Sequence, residues 1–132
     1  MSQPKRLTAA DIMTKRVVTS KPDDDITRIA AEMKRQNIGS VVIAEKRKAV
    51  GMLTERDFVG IVEHVGTLLD KNLAKHYMTQ PVITVQSDTP VADVAALMKE
   101  KHIRHIVVLN KNNEMAGIIS QRDLTKLTPQ QE

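Results

Sequence analysis

"GMLTERD" occupies Gly51–Asp57, and "GIISQRD" occupies Gly117–Asp123. Both read glycine, two apolar residues, a hydroxyl, a spacer, arginine and aspartate. The elementary meaning of [ST]-x-x-D is a helix start. Thr54 or Ser120 would be the N-cap, and Asp57 or Asp123 would reach back to it as in a capping box, at the positive end of the helix dipole. Three features exceed what capping needs. A glycine stands three residues before each hydroxyl, near a strand end, where it permits close approach of another backbone or a ligand. Arg56 and Arg122 repeat. The surroundings repeat as well.

Shifting the chain by 65 residues lays "VVTSKPDDDITRIAAEMKRQNIGSVVI" from Val17 on "VITVQSDTPVADVAALMKEKHIRHIVV" from Val82. Ala30, Ala31, Met33, Lys34 and Ile38 meet Ala95, Ala96, Met98, Lys99 and Ile103. Upstream, Met13-Thr14 meets Met78-Thr79. One residue is gained in "NKNNEMAG" against "EKRKAVG", a polar stretch between apolar runs where a loop tolerates insertion. The chain is an internal duplication.

Each half predicts β-α-β-β-α. A short apolar stretch opens it, Val17-Val18 or Val82-Ile83. A polar turn follows, then a helix with Ile26, Ile29, Ala30 and Met33, or Val91, Val94, Ala95 and Met98, at i, i+3, i+4, i+7. Ser40–Ala44 with Val50–Leu53, and His105–Leu109 with Met115–Ile119, predict hairpins. Val107–Leu109 and Ile118–Ile119 are continuously apolar, as in strands buried on both faces. Thr54 and Ser120 then open a second helix. Residues 64–75 are expected to link the halves with some helix of their own. Sixty residues are marginal alone, so the halves should pack on each other.

The 132 residues are 41% hydrophobic with one Phe and one Tyr, so the core must be aliphatic. There is no cysteine, which excludes disulfides and thiolate metal sites. No apolar run approaches the roughly 18–20 residues that span a bilayer, and the polar start lacks a signal core. A cytoplasmic protein with no membrane partner is expected. The net charge of +4 favours anionic partners. His64, His76, His102 and His105 lack metal-ligand spacing. No catalytic constellation stands out. "EKRK" at Glu45–Lys48 reads as a solvated hairpin loop, and the Asp residues of "SKPDDD" as a helix start.

The functional reading uses the same geometry as the cap. A strand end feeding a helix N-terminus aims N–H groups outward, where they attract phosphate. A carboxylate one turn in can accept from two vicinal ribose hydroxyls. With the duplicated β-α-β-β-α order, the "DIMT" and "HYMTQPVITV" openings and the closing G-h-h-[ST]-x-R-D, the chain resembles a tandem pair of cystathionine β-synthase (CBS) domains, the Bateman module. The resemblance covers about residues 7–128. It implies an α/β (α+β) fold of two pseudo-symmetric repeats packed through their sheets. Its organisation would be a tail at 1–6, a first repeat at 7–64, a linker at 65–75, a second repeat at 76–128 and a tail at 129–132.

Such pairs bind adenine nucleotides or related adenosyl ligands in a cleft between the halves, with the aspartate on ribose and Ser/Thr on phosphate. Carried over by position, one site would join Thr14, Val17 and Val18 to Arg104, His105, Ser120, Arg122 and Asp123. Its mate would join Thr79, Val82 and Ile83 to Ser40, Thr54, Arg56 and Asp57. Arg104 and His105 stand where the family carries a basic pair facing phosphate; Gly39 and Ser40 replace them in the first half. The resemblance implies a regulatory module rather than an enzyme, with AMP, ADP or ATP as ligand and S-adenosylmethionine or NAD as alternatives. The regulated target would be a separate protein. Phe58, Ile61 and Val62, with Leu124 and Leu127, lie at helical spacing and suggest a homodimer. Two rivals are a nucleic-acid binder, which lacks a basic aromatic surface, and a scaffold whose clefts stay empty.

Overall fold

The computed structural model describes residues 6–64 and 72–127. In chain order the elements are α1 (Ala9–Ile12), β1 (Thr19–Ser20), α2 (Ile26–Gln36), β2 (Ser40–Glu45), β3 (Lys48–Thr54), α3 (Glu55–Val62) and α4 (Ala74–Tyr77). There follow β4 (Thr84–Gln86), α5 (Val91–Lys101), β5 (His105–Leu109), β6 (Met115–Ser120) and α6 (Gln121–Thr125). The repeated β-α-β-β-α order is present in both halves. Residues 65–71 of the expected linker lie outside the described residues. Of its described part, Ala74 and Lys75 open the short helix α4.

The helices start and stop where local chemistry dictates. Asp25 caps α2, accepting from Thr27 N at 2.7 Å, and the bond donated by the Thr27 hydroxyl, with this backbone bond second, holds its carboxyl below its ordinary range. Asp24 accepts from Lys21 N at 2.8 Å, and Asp23 pairs with Lys75 at 2.9 Å. Of the "SKPDDD" acids, Asp25 thus starts the helix while Asp24 closes the turn before it and Asp23 pairs with Lys75, and no cluster able to hold a metal occurs among the described residues. α2 and α5 end at Asn37 and His102, both left-handed with φ of 55° and 56°. Ile38 N then bonds Met33 O and Ile103 N bonds Met98 O, each at 3.0 Å, as in a Schellman turn.

Each sheet has three strands, with β2 or β5 in the centre. The first strand pairs parallel to it and the third antiparallel. The opening strands fall later than the apolar pairs suggested. Val18 and Ile83 precede them, and each accepts one bond from the central strand, Val42 N→Val18 O at 3.0 Å and Val107 N→Ile83 O at 3.2 Å. The hairpins match expectation. Pairing slips one residue between Ile43 and Ala44, and between Val108 and Leu109, next to Gly51 and Gly117. Such a bulge increases local twist and re-aims the strand end. Ile106, Val107 and Val108 are all fully buried although successive side chains point to opposite faces, so the central strand is covered on both.

Two compact units result, and they are not the sequence halves cut end to end. Residues 6–17 join 83–127 in one, and 18–64 join 72–82 in the other. The first has a core of Ala9, Val85, Val94, Met98, Ile106, Val108 and Ile119. The second packs Ile26, Ile29, Met33, Val41, Ile43, Leu53, Ile61 and Ala74 together. Burying each such Ile, Leu or Val contributes roughly 1.5–3 kcal/mol.

The opening segment of each half is held in its unit by backbone bonds. Ala9 N and Ala10 N donate to Thr89 O and Ser87 O; Ala74 N and Lys75 N donate to Asp24 O and Pro22 O. Two residues beyond each short helix, Thr14 and Thr79 form isolated antiparallel bridges with Ile118 and Met52. The repeated glycines have their physical reason here. A Cβ on Gly51 would lie 2.7 Å from Met78 Cγ; one on Gly117 would lie 2.7 Å from Met13 Cγ and 2.8 Å from the Thr14 carbonyl oxygen. The methionine of each Met-Thr pair sits in the space that the missing side chain leaves.

Two outcomes are expected from stability measurements. Gly117→Ala should cost about 1–3 kcal/mol, because it collides with backbone as well as with Met13. Gly51→Ala should cost less, because it meets only the flexible Met78 side chain. The Lys46-Arg47 turn between β2 and β3 holds both residues at positive φ, 52° and 68°. That is the conformation Asn-Gly favours. Lys46→Asn with Arg47→Gly should therefore raise stability by about 1 kcal/mol, read as a higher denaturation midpoint at unchanged slope.

Candidate nucleotide site

Thr54 caps α3 and Ser120 caps α6, each in a complete capping box with the aspartate three residues on. Asp57 Oδ2 accepts from Thr54 N at 2.9 Å and Thr54 Oγ1 at 3.1 Å. Asp123 Oδ2 accepts from Ser120 N at 2.8 Å and Ser120 Oγ at 3.2 Å. The elementary reading of the motif is therefore correct, and it uses one oxygen of each carboxylate. The other oxygens differ. Asp57 Oδ1 accepts from Thr79 Oγ1 at 2.8 Å. Among the described residues, no bond runs from Thr14 to Asp123, and none is donated to Asp123 Oδ1.

The strand ends bring further residues to each helix start. His105 pairs with Ser120 across the β5–β6 ladder, and Ser40 with Thr54 across β2–β3. Gln121 N donates to Arg104 O at 2.8 Å, and Glu55 N to Gly39 O at 3.1 Å. Arg104 and Arg122 are exposed, as is Arg56 in the other unit. The residues after each bridging threonine add a contrast that the motif comparison passed over. Lys15 and Arg16 follow Thr14 and are exposed; Gln80 and Pro81 follow Thr79. The signal was legible in the aligned openings, "MTKRVV" against "MTQPVI".

Of the candidate residues, the unit of 83–127 holds Thr14, Val17, Arg104, His105, Ser120, Arg122 and Asp123. The other unit holds Ser40, Thr54, Arg56, Asp57, Thr79 and Val82. Val18 and Ile83 belong to the units opposite to those that hold the rest of their candidate groups. Each packs against the core of the opposite unit, Val18 with the cluster around Ile43 and Ile83 with the cluster around Ile106. The chain passes from one unit to the other just before these residues, which is why their neighbours Val17 and Val82 fall on the expected side. A separate groove of about 890 Å³ runs along α5 and α6, lined by Leu7, Val91, Met98, Leu124 and Leu127 among others. It does not include Ser120 or Asp123.

No described helix is long and apolar enough to cross a membrane. The protein-family model for the CBS domain matches residues 9–64 and 74–129. An uncharacterised protein of Methanopyrus kandleri is 35% identical over 93% of this chain, and one of Acidianus ambivalens 37% identical over 89%. The chain spans 63% and 70% of those proteins, respectively. Among solved structures, the CBS domain pair of protein MJ0100 in complex with 5′-methylthioadenosine and S-adenosyl-L-methionine superposes with a TM-score of 0.84 at 26% identity, covering 97% of this chain and 100% of that one. A Pyrobaculum aerophilum CBS domain protein complexed with AMP gives a TM-score of 0.78 at 28% identity, covering 93% and 99%. Relatives of this fold thus bind adenosyl ligands. The duplicated sheet-and-helix units, the paired capping boxes and the match across both repeats place this chain in the CBS domain family, as a tandem pair.

Proposed function

We propose that this pair is a regulatory module that binds an adenine nucleotide (AMP, ADP or ATP) and acts on a separate protein rather than by catalysis. The observation that carries the reading is the Asp123 carboxylate. Its Oδ2 is spent on the cap, while its Oδ1 accepts no bond from a described residue. A free carboxylate oxygen with two lone pairs suits a vicinal diol, and ribose supplies one. Arg104, Arg122, Lys15 and Arg16 belong to the same unit, and guanidinium groups bind phosphate through charge-assisted bonds. The unit of Asp57 offers Arg56 but has Gly39, Gln80 and Pro81 where the first has Arg104, Lys15 and Arg16. The Asp123 site should accordingly fill first and dominate affinity for phosphorylated ligands. The relatives solved with AMP and with S-adenosylmethionine support the adenosyl class.

Asp123→Asn keeps an acceptor for the cap but loses the charge on the free oxygen. It should weaken AMP binding by about 2 kcal/mol, roughly thirtyfold, in isothermal titration calorimetry. The native protein should bind 2′-deoxy-AMP less tightly than AMP, and the variant should lose that discrimination. Arg104→Ala should weaken AMP while leaving adenosine nearly unchanged. Equal losses for AMP and adenosine would remove Arg104 from the phosphate.

Homodimerisation belongs to the same reading. Phe58 packs against its own core and Ile61 is buried within it, so they are not free for a partner. Leu124 packs partly against its own core and lines the groove along α5 and α6, and α6 ends at Thr125, before Leu127. Val59 and Val62 on α3 are the exposed pair, at 66% and 67%, three residues apart on one helical face. Light scattering should give twice the 14.7 kDa chain mass. Val59→Glu with Val62→Glu should return it to the single-chain value.

A further inference from the structure

The two bridging threonines occupy equivalent places, and only one of them bonds a carboxylate. Thr79 N donates to Met52 O at 2.8 Å and Met52 N to Thr79 O at 3.0 Å. Thr14 N donates to Ile118 O at 2.8 Å and Ile118 N to Thr14 O at 2.9 Å. Met52 and Ile118 each follow the repeated glycine, so the backbone register is the same. The side chains differ. Thr79 Oγ1 donates to Asp57 Oδ1, and with Oδ2 taken by the cap both oxygens of Asp57 are engaged. Among the described residues, nothing equivalent reaches Asp123.

A hydroxyl donating to the outward oxygen of this aspartate is the interaction that a ribose hydroxyl would make. We infer that Thr79 is an internal surrogate for a ligand hydroxyl, a latch that keeps the Asp57 site from taking a vicinal diol in bidentate fashion. The inference rests on the proposed adenine-nucleotide reading and deepens it. The two sites then differ in what they read. At Asp123 both ribose hydroxyls can be held. At Asp57 the incoming sugar must either displace Thr79 or share Oδ1 with it, so that one hydroxyl is gripped at most. The latch sets the Asp57 site to respond at higher ligand concentration, and to distinguish ribose from deoxyribose poorly. Thr79 is exposed, and its hydroxyl exchanges the carboxylate for water at modest cost. The latch is therefore a tuning element that ligand can open.

The test is calorimetric titration of the full chain with AMP and with 2′-deoxy-AMP, in native protein and in an Asp123→Asn background that leaves the Asp57 site as the principal binder. Thr79→Val is nearly isosteric and keeps both backbone bonds to Met52; a thermal melt checks that it folds. In the Asp123→Asn background, Thr79→Val should tighten AMP roughly three- to tenfold. It should leave 2′-deoxy-AMP much less affected, so that discrimination between the sugars appears where there was little. Thr79→Ser restores the hydroxyl and should return the weak, poorly discriminating binding. AMP binding that falls in Thr79→Val, or an unchanged ratio between the two nucleotides, overturns the latch. If AMP binds the native protein but Thr79→Val behaves in that way, the latch alone fails. If the native protein binds no AMP at all, the nucleotide reading fails and the latch falls with it.

Discussion

The seat that Gly51 and Gly117 provide for a methionine and its neighbouring threonine is the contact on which the rest of each unit depends. A strand that ends in a helix is complete in itself only as a hairpin and a cap. It becomes part of a unit when a segment from elsewhere in the chain lies across it. That segment, Met78-Thr79 on β3 or Met13-Thr14 on β6, approaches more closely than any side chain at the glycine would allow. Two backbone bonds then lock the threonine to the residue after the glycine. The requirement is for space alone, since neither glycine has positive φ.

The consequence is a chain whose compact units exchange their opening segments. The N-terminal Met-Thr completes the unit built from the second repeat, and the second Met-Thr completes the unit built from the first. Residues adjacent in sequence, Val17 with Val18 and Val82 with Ile83, therefore end in different units. Their apolar character suits both destinations. This is why apolar pattern alone could neither separate them nor show that the strands start one or two residues later.

The aspartate at the start of the second helix carries two duties with two oxygens. One oxygen terminates unpaired N–H groups and is indispensable to the helix start. The other is available for whatever the surroundings present. Thr8 and Asp11 make the same box at α1, with Thr8 N bonding Asp11 Oδ2 at 2.8 Å, although no glycine stands three residues before Thr8 and no arginine directly before Asp11. Capping geometry by itself is thus common in this chain and says nothing of a ligand. What distinguishes Asp57 and Asp123 is the Met-Thr segment seated on the glycine beside them.

Much of this was legible in the residues. The duplication fixed the element order, because a 3.6-residue period in Ile26–Met33 and Val91–Met98 and β-branched runs around short polar loops leave few alternatives. Thr54, Ser120 and their aspartates announced the helix starts, because capping is local chemistry within four residues. The glycines announced that something must come close, but not what. Only the tertiary structure decided that Met13 and Met78 are what comes close, since that contact joins residues far apart in sequence. It also decided that Val18 and Ile83 pack against the cores of the units they enter. The last distinction is the finest. Thr14 and Thr79 are the same residue in the same motif and register, yet only Thr79 donates to its aspartate. A sequence specifies that a hydroxyl is present; where the hydroxyl points is set by the packing and rotamer of the side chain, which no local pattern encodes.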